Sequence, residues 1–334
     1  MDIEGELEDV AFKMYVDAIK ELRKIQNEDN DIRKVYTIGS CDVSYGIDTI
    51  IDNIYRRHLN DLYRKYNDLN ILSEHYSYPI RENAKYFVLI DPVDGSRELM
   101  RDERAAYFIF AWGEWKGKET TLSDIKGVAL GRLPTSRECI YEFIVVSENK
   151  EPTKYIYNIL KQPYEEINSP KNWKSKKMEN NSVRDIEHTH ICFVAPFYPY
   201  RYTATIADEF YEEVKKRFGK KELFNEQYLT TAGQMIGMIE GKLSMIVDIR
   251  PSIKANSSIE MLCAHPYDVP AAYLIKKLGG VVVGKDFKEE TFWNQKIIPL
   301  NRDIEFIAFP NKEIFEKYGG ILRSIIEKKI IEKS

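Results

Sequence analysis

The chain has 334 residues and a formal charge of −4, from 49 Lys and Arg against 53 Asp and Glu. That balance gives no electrostatic drive towards nucleic acid, and a 43% hydrophobic share excludes wholesale disorder. At roughly 150 residues per domain, the length fits two domains or one two-lobed domain.

Helical spacing of Val10, Met14, Ala18 and Leu22 predicts a first helix over Leu7–Ile25, with Glu6, Glu8 and Asp9 favouring its N-terminal dipole. A second helix is predicted from Thr49 towards Tyr66, with Ile50, Ile54 and Leu62 inward. Tyr86–Ile90 is a continuous apolar run that stops at Asp91-Pro92, the mark of a buried strand feeding a turn. Further strands are predicted at Ala105–Trp112, Lys126–Leu130 and Cys139–Val146. Residues 147–189 are rich in Lys, Glu, Asn and Pro and read as a linker or surface insertion. Beyond them strand and helix alternate: His190–Ala195, Thr203–Lys216, Thr231–Glu240, Leu243–Ile249, Val269–Leu278 and Val281–Val283. Ile321–Ile331 reads as an amphipathic surface helix.

Four scattered cysteines without a CxxC pair suit reduced thiols. The acidic start is unlike a secretory signal, and no apolar run nears the roughly 20 residues that span a bilayer. A cytoplasmic protein without membrane or nucleic-acid partners is expected.

The sharpest chemical feature is Asp91-Pro92-Val93-Asp94-Gly95-Ser96. Its plain reading is a tight turn. Two carboxylates three residues apart can also converge on one cation, with the Val93 carbonyl as a third oxygen. Gly95 and Ser96 then offer backbone N–H groups to an anion. Hard oxygens beside an anion cradle suit Mg²⁺ with a phosphate. More acids stand in Asp42-Val43-Ser44-Tyr45-Gly46-Ile47-Asp48, in Ser73-Glu74-His75, and in Tyr267-Asp268-Val269-Pro270-Ala271-Ala272. Asp268 alone also fits a plain helix N-cap.

This ordered set resembles the inositol monophosphatase/fructose-1,6-bisphosphatase superfamily of Mg²⁺-dependent, lithium-sensitive phosphatases. Gly127-Val128-Ala129 through Pro134 to Glu138 is similar to a hairpin of the same family. The resemblance runs with gaps from about residue 10 to 300. It implies an α+β fold, a layered α-β-α-β-α sandwich of the sugar phosphatase type. Residues 1–186 form an N-terminal α+β metal-binding lobe and 187–334 a C-terminal α/β substrate lobe. It further implies that Glu74, Asp91, the Val93 carbonyl, Asp94 and Asp268 bind two or three Mg²⁺ ions. Ser96, paired with Asp48, helps deprotonate a metal-activated water, and Glu74 belongs to the same catalytic set. Gly95 and Ser96 hold the phosphate, with Thr230 and Thr231 as a further contact. A homodimer and lithium inhibition also follow from the resemblance.

The departures are specific. His75 stands where the family has a second acid, Ser44-Tyr45 replaces Val-Thr, and Thr230-Thr231-Ala232 replaces a Gly-Ser pair. Tyr267 replaces Trp, and residues 251–264 are inserted before Asp268. Asp248 falls where the family binds substrate hydroxyls, although a plain acid at a strand end reads equally well. Arg250, Lys242 and Lys254 could take a second phosphate. The expected substrate is a small phosphorylated metabolite of the inositol monophosphate or fructose 1,6-bisphosphate type. A 3′,5′-bisphosphonucleotide phosphatase, or a catalytically weak binding or regulatory relative, is the alternative.

Overall fold

A computed structural model describes residues 3–27, 35–38, 43–76, 78–180, 183–195, 200–228, 230–257, 259 and 261–331. The described chain divides into two units, with the main crossing between Met178 and Glu179. It is a mixed α+β protein with separate sheets in the two units. None of its described helices is long and apolar enough to cross a membrane.

The first unit opens with α1 (Ile3–Asn27), the hairpin β1 (Val35–Ile38) and β2 (Val43–Tyr45), and α2 (Gly46–Lys65). Then come β3 (Leu69–Ser73), β4 (Tyr86–Asp94) and α3 (Ser96–Met100). It continues through β5 (Ala106–Glu114), β6 (Ile125–Leu133), β7 (Ile140–Ser147), β8 (Thr153–Asn158) and β9 (Lys174–Lys177). Strands β3 to β9 form one seven-stranded sheet in sequence order. Only β3 and β4 pair in parallel; every later neighbour is antiparallel, as expected of a meander with short connections.

The helices α1 and α2 cover one face of this sheet. The buried stripe of α1 is wider than the predicted one, taking in Ala11, Tyr15 and Ile19 and leaving Val10 half-buried. Tyr15 lies flat over Gly131, where an added Cβ would come within 2.3 Å of the ring, and its hydroxyl donates to the Arg132 carbonyl at 2.7 Å. On α2 the buried line runs through Ile47, Ile51, Tyr55 and Leu59, while Ile50 is half-buried. Ile54 and Leu62 are buried as predicted, so the inward face is wider than the predicted one rather than displaced, and it takes in Asp48 and Asp52.

Up to Met178, the segment 147–189 belongs to the first unit. It supplies β8 and β9, and Tyr157, Ile167 and Trp173 are buried in the main core. Trp173 packs edge-on against Phe12 at 5.3 Å and beside Tyr157 at 5.3 Å, and its indole N–H donates to the Ile167 carbonyl at 2.9 Å.

The second unit contains β10 (His190–Phe193), α4 (Arg201–Phe218), β11 (Phe224–Asn225), α5 (Thr231–Ile239) and β12 (Leu243–Asp248). It ends with α6 (Arg250–Ala255), α7 (Ala272–Lys277), β13 (Val281–Val283), α8 (Glu289–Trp293), β14 (Phe306–Phe309) and α9 (Lys312–Ile331). The five strands are ordered β11-β10-β12-β14-β13, parallel around β10 and antiparallel around β14. One face packs Phe193, Met245, Val247 and Ile307 beneath α4 and α9. By strand alternation Ile246 and Phe306 point the other way, where Phe292 of α8 meets Phe306 at 6.2 Å and α5 lies on β12. The terminal helix α9 starts nine residues before the predicted Ile321, because Ile314 and Tyr318 already face this core.

Candidate functional site

In the first unit, β4 delivers the acidic turn. It is buried from Phe87 to Asp94, and its pairing with β5 passes from Asp91↔Ile109 to Asp94↔Tyr107. Three steps on β4 thus oppose two on β5, leaving one extra residue as a bulge. Pro92 lies inside it, where no ladder N–H is demanded. A bulge re-aims side chains, and the extra residue lets Asp91 and Asp94, three apart in sequence, turn their carboxylates to the same side. The Val93 N–H donates to Asp91 Oδ1 at 2.9 Å, which fixes the Asp91 rotamer. Gly95 then takes φ 101°, ψ 30°, a left-handed conformation that Gly adopts without the Cβ penalty. Ser96 is the first residue of α3 and Glu98, two residues on, is buried.

The parallel register of β3 and β4 sets Ser73 beside Ile90, and the Glu74 N–H donates to the Ile90 carbonyl at 3.2 Å. Glu74 therefore emerges beside Asp91. Its neighbour His75 places Nε2 3.5 Å from Glu74 Oε1 and Nδ1 2.9 Å from Asp52 Oδ2.

Asp48 is 2% exposed in the first turn of α2, and its Oδ2 accepts the Tyr45 N–H at 2.7 Å. That bond caps the helix and fixes the carboxyl. Asp52, one turn later, is 5% exposed. The α2 helix packs on both β4 and α3, and the Arg97 guanidinium lies 5.7 Å from the centre of the Tyr45 ring. Burial, with the Asp52 and Asp91 charges nearby, raises the Tyr55 hydroxyl well above its usual range. The first unit thus gathers Asp48, Asp52, Glu74, His75, Asp91, Val93, Asp94, Gly95 and Ser96 around the ends of β3 and β4 and the N-terminal part of α2. Asp42 lies outside the described residues.

Asp52 escaped the sequence reading. The available signal was its position four residues after Asp48, which puts both acids on one helix face.

The remaining expected residues belong to the second unit. Thr230 caps α5, its hydroxyl accepting the Gly233 N–H at 2.6 Å, and Thr231 starts the helix. Asp248 ends β12 at 1% exposure and is grasped by Arg250: Nε to Oδ1 at 2.8 Å and Nη2 to Oδ2 at 2.6 Å. Arg250 Nη1 donates to the Leu262 carbonyl at 2.8 Å. Burial acts against the guanidinium charge, but Asp248 outweighs it and Arg250 stays charged. Lys242 pairs with Glu240 at 2.5 Å and Lys254 with Asp303 at 2.9 Å. Asp268 is not the N-cap of α7, which starts four residues later; its Oδ2 accepts the His265 N–H at 2.6 Å and closes a turn. Residues 251–264 contain most of α6 rather than a bare loop.

The chemistry of the first unit's donor set fits a hard divalent cation. Asp91, Asp94 and Glu74 offer carboxylate oxygens and Val93 a carbonyl, with no thiolate among them. Asp91 and Asp94 bring a carboxylate oxygen each within 4.8 Å of one another, close enough to share an ion.

No family model matches the chain, and no curated protein matches it in sequence. Solved structures do match. The extragenic suppressor protein SuhB from Bartonella henselae is 15% identical, covering 97% of this chain and 99% of its own, at a TM-score of 0.63. Fructose-1,6-bisphosphatase from Leishmania major is 11% identical, covering 95% and 92%, at a TM-score of 0.67. The inositol monophosphatase from Thermotoga maritima is 13% identical, covering 98% of each chain, at a TM-score of 0.58. The chain therefore has the fold of the inositol monophosphatase and fructose-1,6-bisphosphatase structures.

Proposed function

We propose that this protein is a Mg²⁺-dependent phosphomonoesterase acting on a small phosphorylated metabolite. The observation that carries the reading is the bulged end of β4, where Asp91 and Asp94 flank the Val93 carbonyl beside Glu74, followed by the left-handed Gly95. Glu74, Asp91, the Val93 carbonyl and Asp94 are the proposed Mg²⁺ ligands. Bound there, Mg²⁺ neutralises phosphate charge and lowers the pKa of a coordinated water. The Gly95 and Ser96 N–H groups hold phosphate oxygens. Ser96 Oγ orients the attacking water, and Asp48, already fixed by Tyr45, takes up the proton. Lithium competing at the same oxygens belongs to this reading.

The fold neighbours include an inositol monophosphatase solved with inositol monophosphate bound, which supports a phosphorylated polyol as substrate. Arg250 directs its guanidinium to Asp248 and Leu262. That favours a monoester over a substrate whose second phosphate would need this arginine. Release of phosphate from inositol 1-phosphate, fructose 1,6-bisphosphate and 3′-phosphoadenosine 5′-phosphate, with Mg²⁺ and with chelator, tests both parts. Mg²⁺-dependent release led by inositol 1-phosphate is expected. Cleavage of the nucleotide alone would overturn the polyol preference, and equal release in chelator would overturn the metal.

A further inference from the structure

We propose that Asp52 and His75 form a positioning pair that sets the Glu74 carboxylate for its cation. The inference rests on Glu74 being a cation ligand, as above. His75 follows Glu74 directly, so backbone geometry alone does not aim its ring. The ring sits between two acids: Nδ1 lies 2.9 Å from Oδ2 of Asp52, itself buried on α2, a close contact rather than an aligned hydrogen bond, and Nε2 lies 3.5 Å from Glu74 Oε1. A carboxylate–imidazole pair behind a ligating group fixes that group's orientation, and its loss costs about 10- to 100-fold in cation affinity.

A second grip lies one turn along the same helix. Arg56 stacks 4.2 Å from the centre of the Tyr76 ring, so α2 holds two successive residues after Glu74 through Asp52 and Arg56. The Arg56 grip is mechanical and does not touch Glu74. It therefore separates pinning of the segment from positioning of the ligand.

The test is Mn²⁺ binding to the full chain, read from the free-ion electron paramagnetic resonance signal, alongside the melting temperature. His75→Ala and Asp52→Ala are expected to raise the Mn²⁺ dissociation constant by about 10- to 100-fold. His75→Gln, whose amide can still donate to Glu74, should recover most of the affinity, and Arg56→Met should stay within about twofold of wild type. The recovery in His75→Gln keeps the comparison decisive if either alanine variant fails to fold. Unchanged affinity in His75→Ala and Asp52→Ala overturns the proposal. So does an equal loss in Arg56→Met, which would make the contact a pin. Wild-type protein that binds no Mn²⁺ overturns the cation site itself, a different failure from wild-type binding that ignores His75.

Discussion

Asp248 and Arg250 show how residue type and residue role separate. An acid closing an apolar strand fits either a substrate contact or a structural charge. The structure places both of its oxygens against Arg250 in a site that is almost dry. Removing one partner of such a pair leaves an uncompensated buried charge, which costs about 3–5 kcal/mol. Arg250→Met should lower stability by that amount in urea unfolding, and adding Asp248→Leu should restore most of it. A raised KM with unchanged stability would instead mark Arg250 as a substrate contact. The acids of the first unit were legible because each sits in a short motif with its own turn chemistry, as Asp91-Pro92-Val93-Asp94-Gly95 does. Asp52 was not, because its inward setting depends on how α2 packs on the sheet. That packing is set by Ile47, Ile51 and Tyr55 under the helix.

At the scale of elements, periodicity identified the strands that run through the core and failed at the sheet's edge. β4 to β7 carry unbroken apolar runs. β9 is Lys-Ser-Lys-Lys and wholly exposed, so no hydrophobic pattern announces it. Lysines at such an edge discourage pairing with another chain. Beside Tyr157 and Ile167, Trp173 ties this segment to the core, isolated among polar neighbours in the sequence but packed between Phe12 and Tyr157. Trp173→Ala should cost about 3–5 kcal/mol in urea unfolding. A loss below about 1 kcal/mol would restore the linker reading of residues 147–189. The crossing between units comes one residue after β9 ends at Lys177.

At the scale of the whole molecule, stability should carry a pH signature from Glu305. Burial pushes its carboxyl up to about 7 from an ordinary 4.5, against the bond from Ser252 Oγ at 2.8 Å. The folded state then binds the proton more tightly than the unfolded chain. Its contribution is complete below about pH 4.5 and is lost as pH rises through 7. Glu305→Gln should flatten that fall in a series of melting temperatures from pH 5 to 8; an unchanged slope would place the group in water. The fold is shared with phosphatases at 10–15% identity, a level at which architecture persists while the residues of a site must be tested one by one. The most direct test is phosphate release from inositol 1-phosphate as a function of Mg²⁺ concentration, for wild type and Asp91→Asn. The account predicts saturable, Mg²⁺-dependent turnover in wild type that falls by about 10²–10³-fold or more in the variant. Turnover that survives in Asp91→Asn, or that ignores Mg²⁺ in wild type, would contradict it.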